Sequence, residues 1–459
     1  MARAKKEAAL TPEERLQAAL VPDWEWPYKL PKNWCWTRMQ EIAQWGSGGT
    51  PSRKVSEYYN GDISWVKTGE LNDDYIFATE EHITQEAISH SSAKIYPTDT
   101  VVIAMYGATI GKVGILGIPA ATNQACACAI VKPSTDYKYL FYYAQSQKDD
   151  FIKKGKGGAQ PNISQEIIKF HQFPLPPLAE QRRIVDRIES LFAKLDEAKE
   201  KAQAVVDSFE TRKAAILHKA FTGELTAKWR EEHDVGMDSW KKKTLSDVVT
   251  EFKYGTSEKS DYNNNGMPVL RIPNIGDNGI DLSDVKYLDH RNVDSESQIH
   301  EGDILIIRSN GSRDLVGKAV LVPELGCEYA YASFLIRVKP NHSIISARYL
   351  TIFLNSTDAR GQMFRRAKSS AGINNINTKE LGAISLTVPL LPEQDEIVHI
   401  INEMMEKEQQ AKETAEAVLD QIDLMKKSIL ARAFRGELGT NDQSEGSAVE
   451  VLKKALEKK

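Results

Sequence analysis

The sequence lacks any run of 18 apolar residues, and its first 20 residues, MARAKKEAALTPEERLQAAL, contain no apolar segment. It therefore predicts neither a transmembrane helix nor a secretory signal. Cysteine is scarce, with four among 459 residues, at Cys35, Cys126, Cys128 and Cys327. Because so few cysteines are typical of proteins in a reducing compartment, we expect a cytoplasmic protein without a membrane contact.

An excess of positive charge is also absent, since the formal net charge is -5. The chain as a whole is therefore not a basic nucleic-acid-binding protein, although basic loops can lie on a chain whose helices are acidic. The length predicts about two to four domains. A hydrophobic fraction of 41% is enough to give them sizeable cores.

The motifs of several catalytic sites are missing. GATIGKV at 107–113 and GSRDLVGKA at 311–319 have the wrong glycine spacing for a P-loop, and neither has Ser or Thr after its Lys. No Asn-Pro-Pro-aromatic or Asp-Pro-Pro-aromatic tetrapeptide marks an amino-methyltransferase. Cys126 and Cys128 have no neighbours that complete a metal site, so we interpret them as buried thiols. We predict a non-catalytic chain that holds no metal and no cofactor.

The chain repeats itself. AFTGEL at 220–225 returns as AFRGEL at 433–438, and the same shift carries Glu180-Gln181 onto Glu393-Gln394. This register holds without gaps from about residue 157 to residue 225, and upstream the match is looser but continues. The chain is therefore two copies of one unit, each a globular head followed by a helix.

Each copy ends in a long predicted helix, 178–222 and 391–435, and the first of these ranges contains no Gly or Pro. Apolar positions alternate at spacings of four and three, which indicates a coiled-coil seam with one break at Arg212 and one at Glu408. At about 1.5 Å per residue each helix is roughly 60 Å long. Gly223 and Gly436 follow the last helical turns, where such glycines end helices. The predicted seam comprises Ile184, Ile188, Leu191, Leu195, Ala198, Ala202, Val205, Phe209 and Ile216, and then Ile397, Ile401, Met404, Ala411, Ala415, Val418, Ile422, Met425 and Ile429.

The heads mix strand-like and helical runs, which is typical of an α+β domain. We predict two tandem globular α+β heads, separated by two long helices that form an antiparallel coiled coil, in a pseudo-two-fold internal repeat. The N-terminal extension contains Trp24, Trp26 and Tyr28, which we expect to pack on the first head. The predicted segments are the extension 1–30, head 31–177, helix 178–222, linker 223–239, head 240–390, helix 391–435 and a C-terminal linker with a short helix, 436–459.

Three loops in each head combine glycine with polar and basic residues, at 45–54, 106–112 and 153–164, and at 253–260, 308–318 and 365–377. Such loops suit a nucleic-acid duplex, because cations neutralise phosphates while amide and Arg side chains contact base edges. Asn162 and Asn375 occupy matched positions, and capping a turn beside a helix is an equal alternative for them. The candidate DNA contacts are Lys54, Tyr106, Lys112, Lys153, Lys154, Lys156, Gln160, Asn162, Arg308, Asn310, Arg313, Lys318, Arg365, Arg366, Lys368, Asn374 and Asn375.

The head, the segment PPLAEQRRIVDRIE at 176–189, the long helix and AFTGEL, all followed by the same pattern again, resemble the DNA-specificity subunit of type I restriction–modification systems. The resemblance covers roughly residues 31–438. It implies that each head is a target-recognition domain for one half of a split, asymmetric DNA site, and that the helices are a spacer. It also implies two modification (methyltransferase) subunits bound around the spacer, with restriction/translocase subunits joining them. S-adenosylmethionine, ATP and Mg²⁺ would then belong to those partners.

Three other hypotheses remain at this stage. A self-contained nuclease or methyltransferase would act on DNA without partners. A coiled-coil adaptor would show no salt-dependent DNA affinity. A recognition subunit of a modification-only or other defence assembly would have the same sequence features as the specificity subunit of a type I system.

Overall fold

A computed structural model describes residues 11–155, 161–263, 265–277, 279–289, 297–370 and 373–457. The chain divides into two compact units. The first unit is Met1–Lys201 with Val418–Lys459, and the second is Ala202–Ala417. Each unit contains one head and a part of each long helical segment, so the units differ from the contiguous segments predicted above. Those segment boundaries stay a prediction.

The elements are numbered in chain order. Up to residue 207 they are α1 Pro12–Ala19, β1 Cys35–Arg38, α2 Met39–Ile42, β2 Ala43–Ser47, β3 Tyr59–Val66, β4 Asp74–Ile76, β5 His82–Ile83, α3 Gln85–Ser89, β6 Ile95–Tyr96, β7 Val101–Ala104, β8 Val113–Leu116, β9 Ala120–Thr122, β10 Cys126–Val131, α4 Tyr137–Ser146, α5 Lys148–Lys154, α6 Gln165–Lys169, β11 Gln172–Leu175 and α7 Leu178–Asp207. Short 3-10 helices cover Asp23–Glu25, Ser56–Tyr58, Thr68–Glu70 and Gly107–Thr109.

The later elements are α8 Phe209–Phe221, α9 Ala227–Glu232, β12 Lys241–Thr244, α10 Leu245–Val248, β13 Val249–Tyr254, β14 Met267–Leu270, β15 Lys286–Leu288, β16 Gln298–Ile299, β17 Ile304–Ile307, β18 Ser309–Asn310, β19 Ala319–Leu321, β20 Tyr329–Tyr331, β21 Leu335–Pro340, α11 Ala347–Leu354, α12 Thr357–Arg366, β22 Lys368–Ser370, β23 Ile373–Asn375, α13 Thr378–Gly382, β24 Ser385–Val388, α14 Leu391–Ala433 and α15 Ala448–Glu457. Met237–Ser239 and Ile272–Asn274 are 3-10 helices.

The two heads share one sheet plan. The first has sheets in the orders β2-β10-β7-β8-β4, β5-β3-β9-β6 and β1-β11. The second has β13-β21-β17-β19, β15-β14-β20-β16 and β12-β24. In the β5-β3-β9-β6 sheet and in the β15-β14-β20-β16 sheet the two central strands are parallel, β3 with β9 and β14 with β20. The loosely matching first parts of the two copies therefore have the same α+β topology, which confirms the internal repeat.

A central strand in each head is buried on both faces. In β7, Val101 and Ile103 join the core under α4, whereas Val102 and Ala104 face a second core on the other side. In β17 the same alternation distributes ILII between two cores. Because successive strand residues point to opposite faces, such a strand is apolar throughout. The central position of β7 and β17 between two cores therefore accounts for their uninterrupted apolar sequences, VVIA and ILII.

The two long helical segments pair antiparallel in both units. In the first unit the Lys426 ammonium lies 2.5 Å from the Asp196 carboxylate, and Lys199 lies 3.8 Å from Asp423. In the second unit α8 and α14 are joined at Arg212 and Glu408, with 2.6 Å between guanidinium and carboxylate. The two breaks in the predicted seams therefore contact each other. The predicted helix 178–222 is interrupted at Ser208, between α7 and α8.

The buried face of α14 departs from the predicted seam at three positions. Ala411 is exposed, and Val418 and Met425 are 37% and 48% exposed. The next residues along the chain, among them Leu419 and Lys426, are half-buried instead. A straight helix turns about 20° per heptad away from a strict seven-residue repeat, so the packed face moves by one position. The other predicted seam residues are buried or half-buried.

The repeated hexapeptide ends each helical segment and packs it on a head. Gly223 and Gly436 have φ of +83° and +75°, a conformation that favours glycine. The Phe221 ring lies 5.4 Å from that of Tyr349 in the second unit. In the first unit the Phe434 ring packs among α4 tyrosines, 5.0 Å from the ring of Tyr143. The repeat is therefore a helix end with an aromatic anchor.

Each copy also has a fully buried glutamate in the first turn of its helix. In the first unit Glu180 accepts hydrogen bonds from the Trp34 indole and the Asn441 amide, both at 2.8 Å. Burial raises the pKa of this carboxyl. In the second unit Glu393 accepts from the Trp240 indole at 3.0 Å and from Arg230 at 2.6 Å. Within the described part of the chain, the second glutamate has a buried cationic partner and the first has none.

Both terminal segments pack on the first head. Tyr28 packs edge-to-face on Trp36, as the sequence predicted, but Trp24 is 83% exposed and Trp26 is 43% exposed. Hydrophobic residues of α15 lie in the core of the first unit. The Arg183 guanidinium also binds the Glu445 carboxylate through both terminal nitrogens, at 2.7 and 2.9 Å.

Candidate nucleic-acid interface

Two of the predicted loops of the second head meet in one small sheet. Strand β23 pairs with β18 on one side and with β22 on the other, both antiparallel. Asn375 lies opposite Ser309 and Lys368, and Asn374 lies opposite Asn310. The described parts of the loops 308–318 and 365–377 are therefore joined by strand pairing.

The third loop joins them through an aromatic contact. The Arg308 guanidinium carbon lies 4.5 Å from the centroid of the Tyr254 ring. Nε and Nη2 of Arg308 both donate to Oδ1 of Asn375, at 3.3 Å. The Tyr254 hydroxyl accepts from the backbone N–H of Thr378 at 3.1 Å. Tyr254 was not among the predicted contacts, although its place at the start of loop 253–260 was a signal for it.

Other basic residues of this head differ in their freedom to bind a ligand. Arg365 is exposed in the last turn of α12, and Arg313 is exposed with its guanidinium 5.3 Å from the Phe364 ring centroid. Lys318 is half-buried and forms a 2.8 Å ion pair with Asp277, whose pKa it lowers. Arg313 and Arg365 are thus the freer cations of this group.

Three more of the predicted contacts of the second head, Arg366, Asn374 and Asn310, already bind protein groups. Arg366 donates to the carbonyls of Gln362 and Ala383, at 3.2 and 3.3 Å. The Asn374 amide donates to the Gly311 carbonyl at 3.3 Å. Asn310 Oδ1 accepts from the Ser312 N–H at 2.7 Å, which shapes the turn that follows β18. These bonds position the loops themselves.

The loops of the first head also meet through strand pairing, but the structure shows fewer side-chain hydrogen bonds between their described residues. Tyr106 and Asn162 form an antiparallel β-bridge, and both are exposed. The N–H of Ile163 donates to the Met105 carbonyl at 2.9 Å, just as Ile376 donates to Arg308 in the second head. The structure thus juxtaposes the loops 106–112 and 153–164.

Asn162 and Asn375 do not cap the helices that follow them. Ser164 caps α6 by accepting from the Ile167 N–H at 3.3 Å. Asn377 caps α13 by accepting from the Glu380 N–H at 2.8 Å. The two matched asparagines take part in strand pairing two residues before these helix caps.

The lysines of the first head are unequal. Lys54 and Lys153 are exposed, and Lys112 is half-buried. Lys154 forms an ion pair with Asp150 at 2.7 Å and donates to Nδ1 of His171 at 3.0 Å. Burial and, to a smaller extent, the charge of Lys154 lower the pKa of His171 to about 4. The imidazole ring is therefore neutral, and its Nδ1 accepts the hydrogen bond from Lys154. The predicted contacts Lys156 and Gln160 lie outside the described residues.

Arg53 was not among the predicted contacts, although it lies inside the predicted loop 45–54. Its guanidinium carbon lies 4.4 Å from the Tyr59 ring centroid, and a terminal nitrogen lies 2.6 Å from the Glu81 carboxylate. Its neighbours Ser52 and Lys54 in the loop were the available signal. In chemical terms the two heads offer cations, amides and aromatic rings, the groups that contact phosphates and bases.

Within the part of the chain that the structure describes, no group of three His, Cys, Asp or Glu side chains is arranged to hold a metal ion. No helix among the described residues is long and apolar enough to cross a membrane. All four cysteines are free thiols, three of them buried.

Comparisons with known proteins agree with the internal repeat. A family model described as type I restriction modification DNA specificity domain matches residues 31–206 and again 237–418. The chain is similar to the type I restriction enzyme EcoKI specificity subunit of Escherichia coli (strain K12), with 26% identity over 426 residues, 89% of this chain and 90% of the relative. The StySPI specificity subunit of Salmonella potsdam is 24% identical over 422 residues, again 89% of this chain and 90% of the relative.

A solved structure shares the fold. The HsdS subunit from Thermoanaerobacter tengcongensis matches with a TM-score of 0.62 at 19% identity, over 90% of this chain and 99% of the other. At this identity the match supports the architecture alone.

Proposed function

The chain belongs to the type I restriction–modification DNA specificity family, and on that premise we propose that each head reads one half of a bipartite, asymmetric DNA site. Within such a complex the chain is the non-catalytic subunit that recognises DNA sequence. Its partners are double-stranded DNA and the modification and restriction subunits.

One observation carries the proposal: the heads place different side chains on one backbone plan. After the central strand, the first head has Met105 and Tyr106 beside Asn162. The second head has Arg308 and Ser309 beside Asn375. Because sequence is read by side chains on base edges, two such surfaces suit two different half-sites.

We further propose that the paired helices set the gap between the half-sites. Helix α14 has 43 residues, which at about 1.5 Å each is roughly 65 Å of continuous helix. The repeat offers two equivalent surfaces, which suits two copies of the modification subunit. S-adenosylmethionine, ATP and Mg²⁺ would bind to the partners, and the assembly would act in the cytoplasm.

The test is methylation mapping. The chain is expressed with its modification subunit in a host that lacks DNA methylation, and modified adenines are located by sequencing the genome. We expect a split motif, with two different short halves around a fixed gap. A continuous or palindromic motif would contradict recognition by two different heads. Absence of both methylation and salt-dependent DNA binding by the assembled complex would favour the adaptor hypothesis.

A further inference from the structure

We propose that Arg308 reads one guanine in the half-site of the second head, and that Tyr254 and Asn375 are the residues that position it. This inference rests on the proposed function and adds to it the base and the atoms that are recognised.

The Arg308 guanidinium is held so that one edge faces away from its protein partners. The Arg308 guanidinium carbon lies over the Tyr254 ring, 4.5 Å from its centroid, and Asn375 Oδ1 accepts from Nε and Nη2 at 3.3 Å. Among the described residues Nη1 has no partner, so Nη1–H and the second Nη2–H remain as a pair of parallel donors. That pair matches O6 and N7 of guanine in the major groove.

The charge of Arg308 is not neutralised by the protein. No carboxylate of the described chain lies within ion-pair distance of it, and its oxygen partner is an amide. Arg53 is the instructive contrast, because it also stacks on a tyrosine but binds Glu81 at 2.6 Å. A half-buried guanidinium that keeps its charge and has a restrained side chain is prepared for an electron-rich ligand.

The fold does not require a cation at this position. Met105 is the equivalent residue of the first head: its N–H donates to Ala125 and its carbonyl accepts from Ile163, at 2.8 and 2.9 Å. The N–H of Arg308 donates to Phe334 and its carbonyl accepts from Ile376, both at 2.9 Å. The same backbone arrangement therefore forms with an apolar side chain, which is 3% exposed in the first head. The Arg308 guanidinium is available for recognition.

The experiment measures binding of the complex with the modification subunit to duplexes that carry the mapped site. Each guanine is replaced in turn by 7-deazaguanine, which lacks N7. For the wild type we expect one guanine, in one half-site, at which the replacement weakens binding roughly 5- to 150-fold. Arg308→Met, which introduces the residue of the first head, should bind more weakly and lose this sensitivity.

Two further variants separate base reading from other roles. Arg308→Lys keeps the positive charge but lacks the two parallel N–H donors of the guanidinium. It should therefore weaken the preference for guanine over other bases at the same position. Arg365→Met, an exposed cation of the same head, should weaken binding equally on all duplexes and retain the sensitivity.

The outcomes distinguish the possibilities. If Arg308→Met is as sensitive to 7-deazaguanine as the wild type, or loses affinity uniformly, Arg308 does not read guanine. If the wild-type complex shows no sequence preference, the proposed function fails and the inference with it. Thermal unfolding of each variant complex confirms that the compared proteins are folded.

Discussion

Replacing Arg230 by Met should destabilise the second unit by about 3–5 kcal/mol, the cost of leaving a buried charge without its partner. The Arg230 side chain is 9% exposed and the Glu393 side chain 0%, and their charged atoms lie 2.6 Å apart. In the variant the carboxylate would retain only neutral donors, the Trp240 indole at 3.0 Å and the Thr226 hydroxyl at 2.7 Å. These cannot balance its charge in a site that water does not reach.

Differential scanning calorimetry of the whole chain measures this effect. For a unit of this size, about 2–4 °C per kcal/mol predicts a fall of roughly 6–20 °C in the Tm of one transition. Adding Glu393→Gln to Arg230→Met should restore most of the loss, because no buried charge then remains. The matched control is Glu180→Gln in the first unit, where the buried carboxyl has no such cation and the change should cost little at pH 7. A shift below about 2 °C for Arg230→Met, or no recovery in the double variant, would refute the reasoning.

Glu180, the Arg212–Glu408 pair and the two long helical segments each give a further prediction. Glu180 has a raised pKa in the folded state, so its contribution to stability is complete below its ordinary pKa of 4.5 and is lost as the pH rises through the raised value. Glu180→Gln should therefore flatten the dependence of Tm on pH between about 4 and 8, and an unchanged profile would contradict this. At the half-buried pair in the seam, Arg212→Leu and Glu408→Leu should each cost about 1–2 kcal/mol while the double variant recovers stability; strictly additive losses in denaturant unfolding would contradict the coupling. Inserting seven residues after Ala198 and after Ala411 adds about 10 Å of helix, so methylation mapping should find a gap longer by about three base pairs between unchanged half-sites. An unchanged gap would contradict the spacer role.

The helices and their ends were predictable from the sequence because the signals are local. Glycines at 223 and 436 end the helical segments, and the phenylalanine in each hexapeptide anchors them on a head. The strand runs VVIA and ILII likewise show that a strand is buried on both faces. Such features depend on neighbouring residues and on the side-chain period of one element, both of which are written in the chain.

The partners of these elements could not be predicted in the same way. Arg212 and Glu408 stood out only as two separate defects in apolar patterns, and nothing local indicated that they contact each other. The exposure of Val418 and Met425 depends on how a straight helix turns against its neighbour. Lys154 and Arg366 looked like free cations, yet their partners come from other parts of the fold.

The sequence by itself therefore determined the duplication, the α+β heads, the long helices and the family. Only the tertiary structure decided which side chains of the loops stand together, and that Arg308 and Met105 occupy one position on a shared backbone plan. The physical reason is that residues far apart in the chain meet through packing and strand pairing, whose partners are chosen by the whole fold. Periodicity shows which face of an element is buried, but the residue that covers it belongs to another part of the chain.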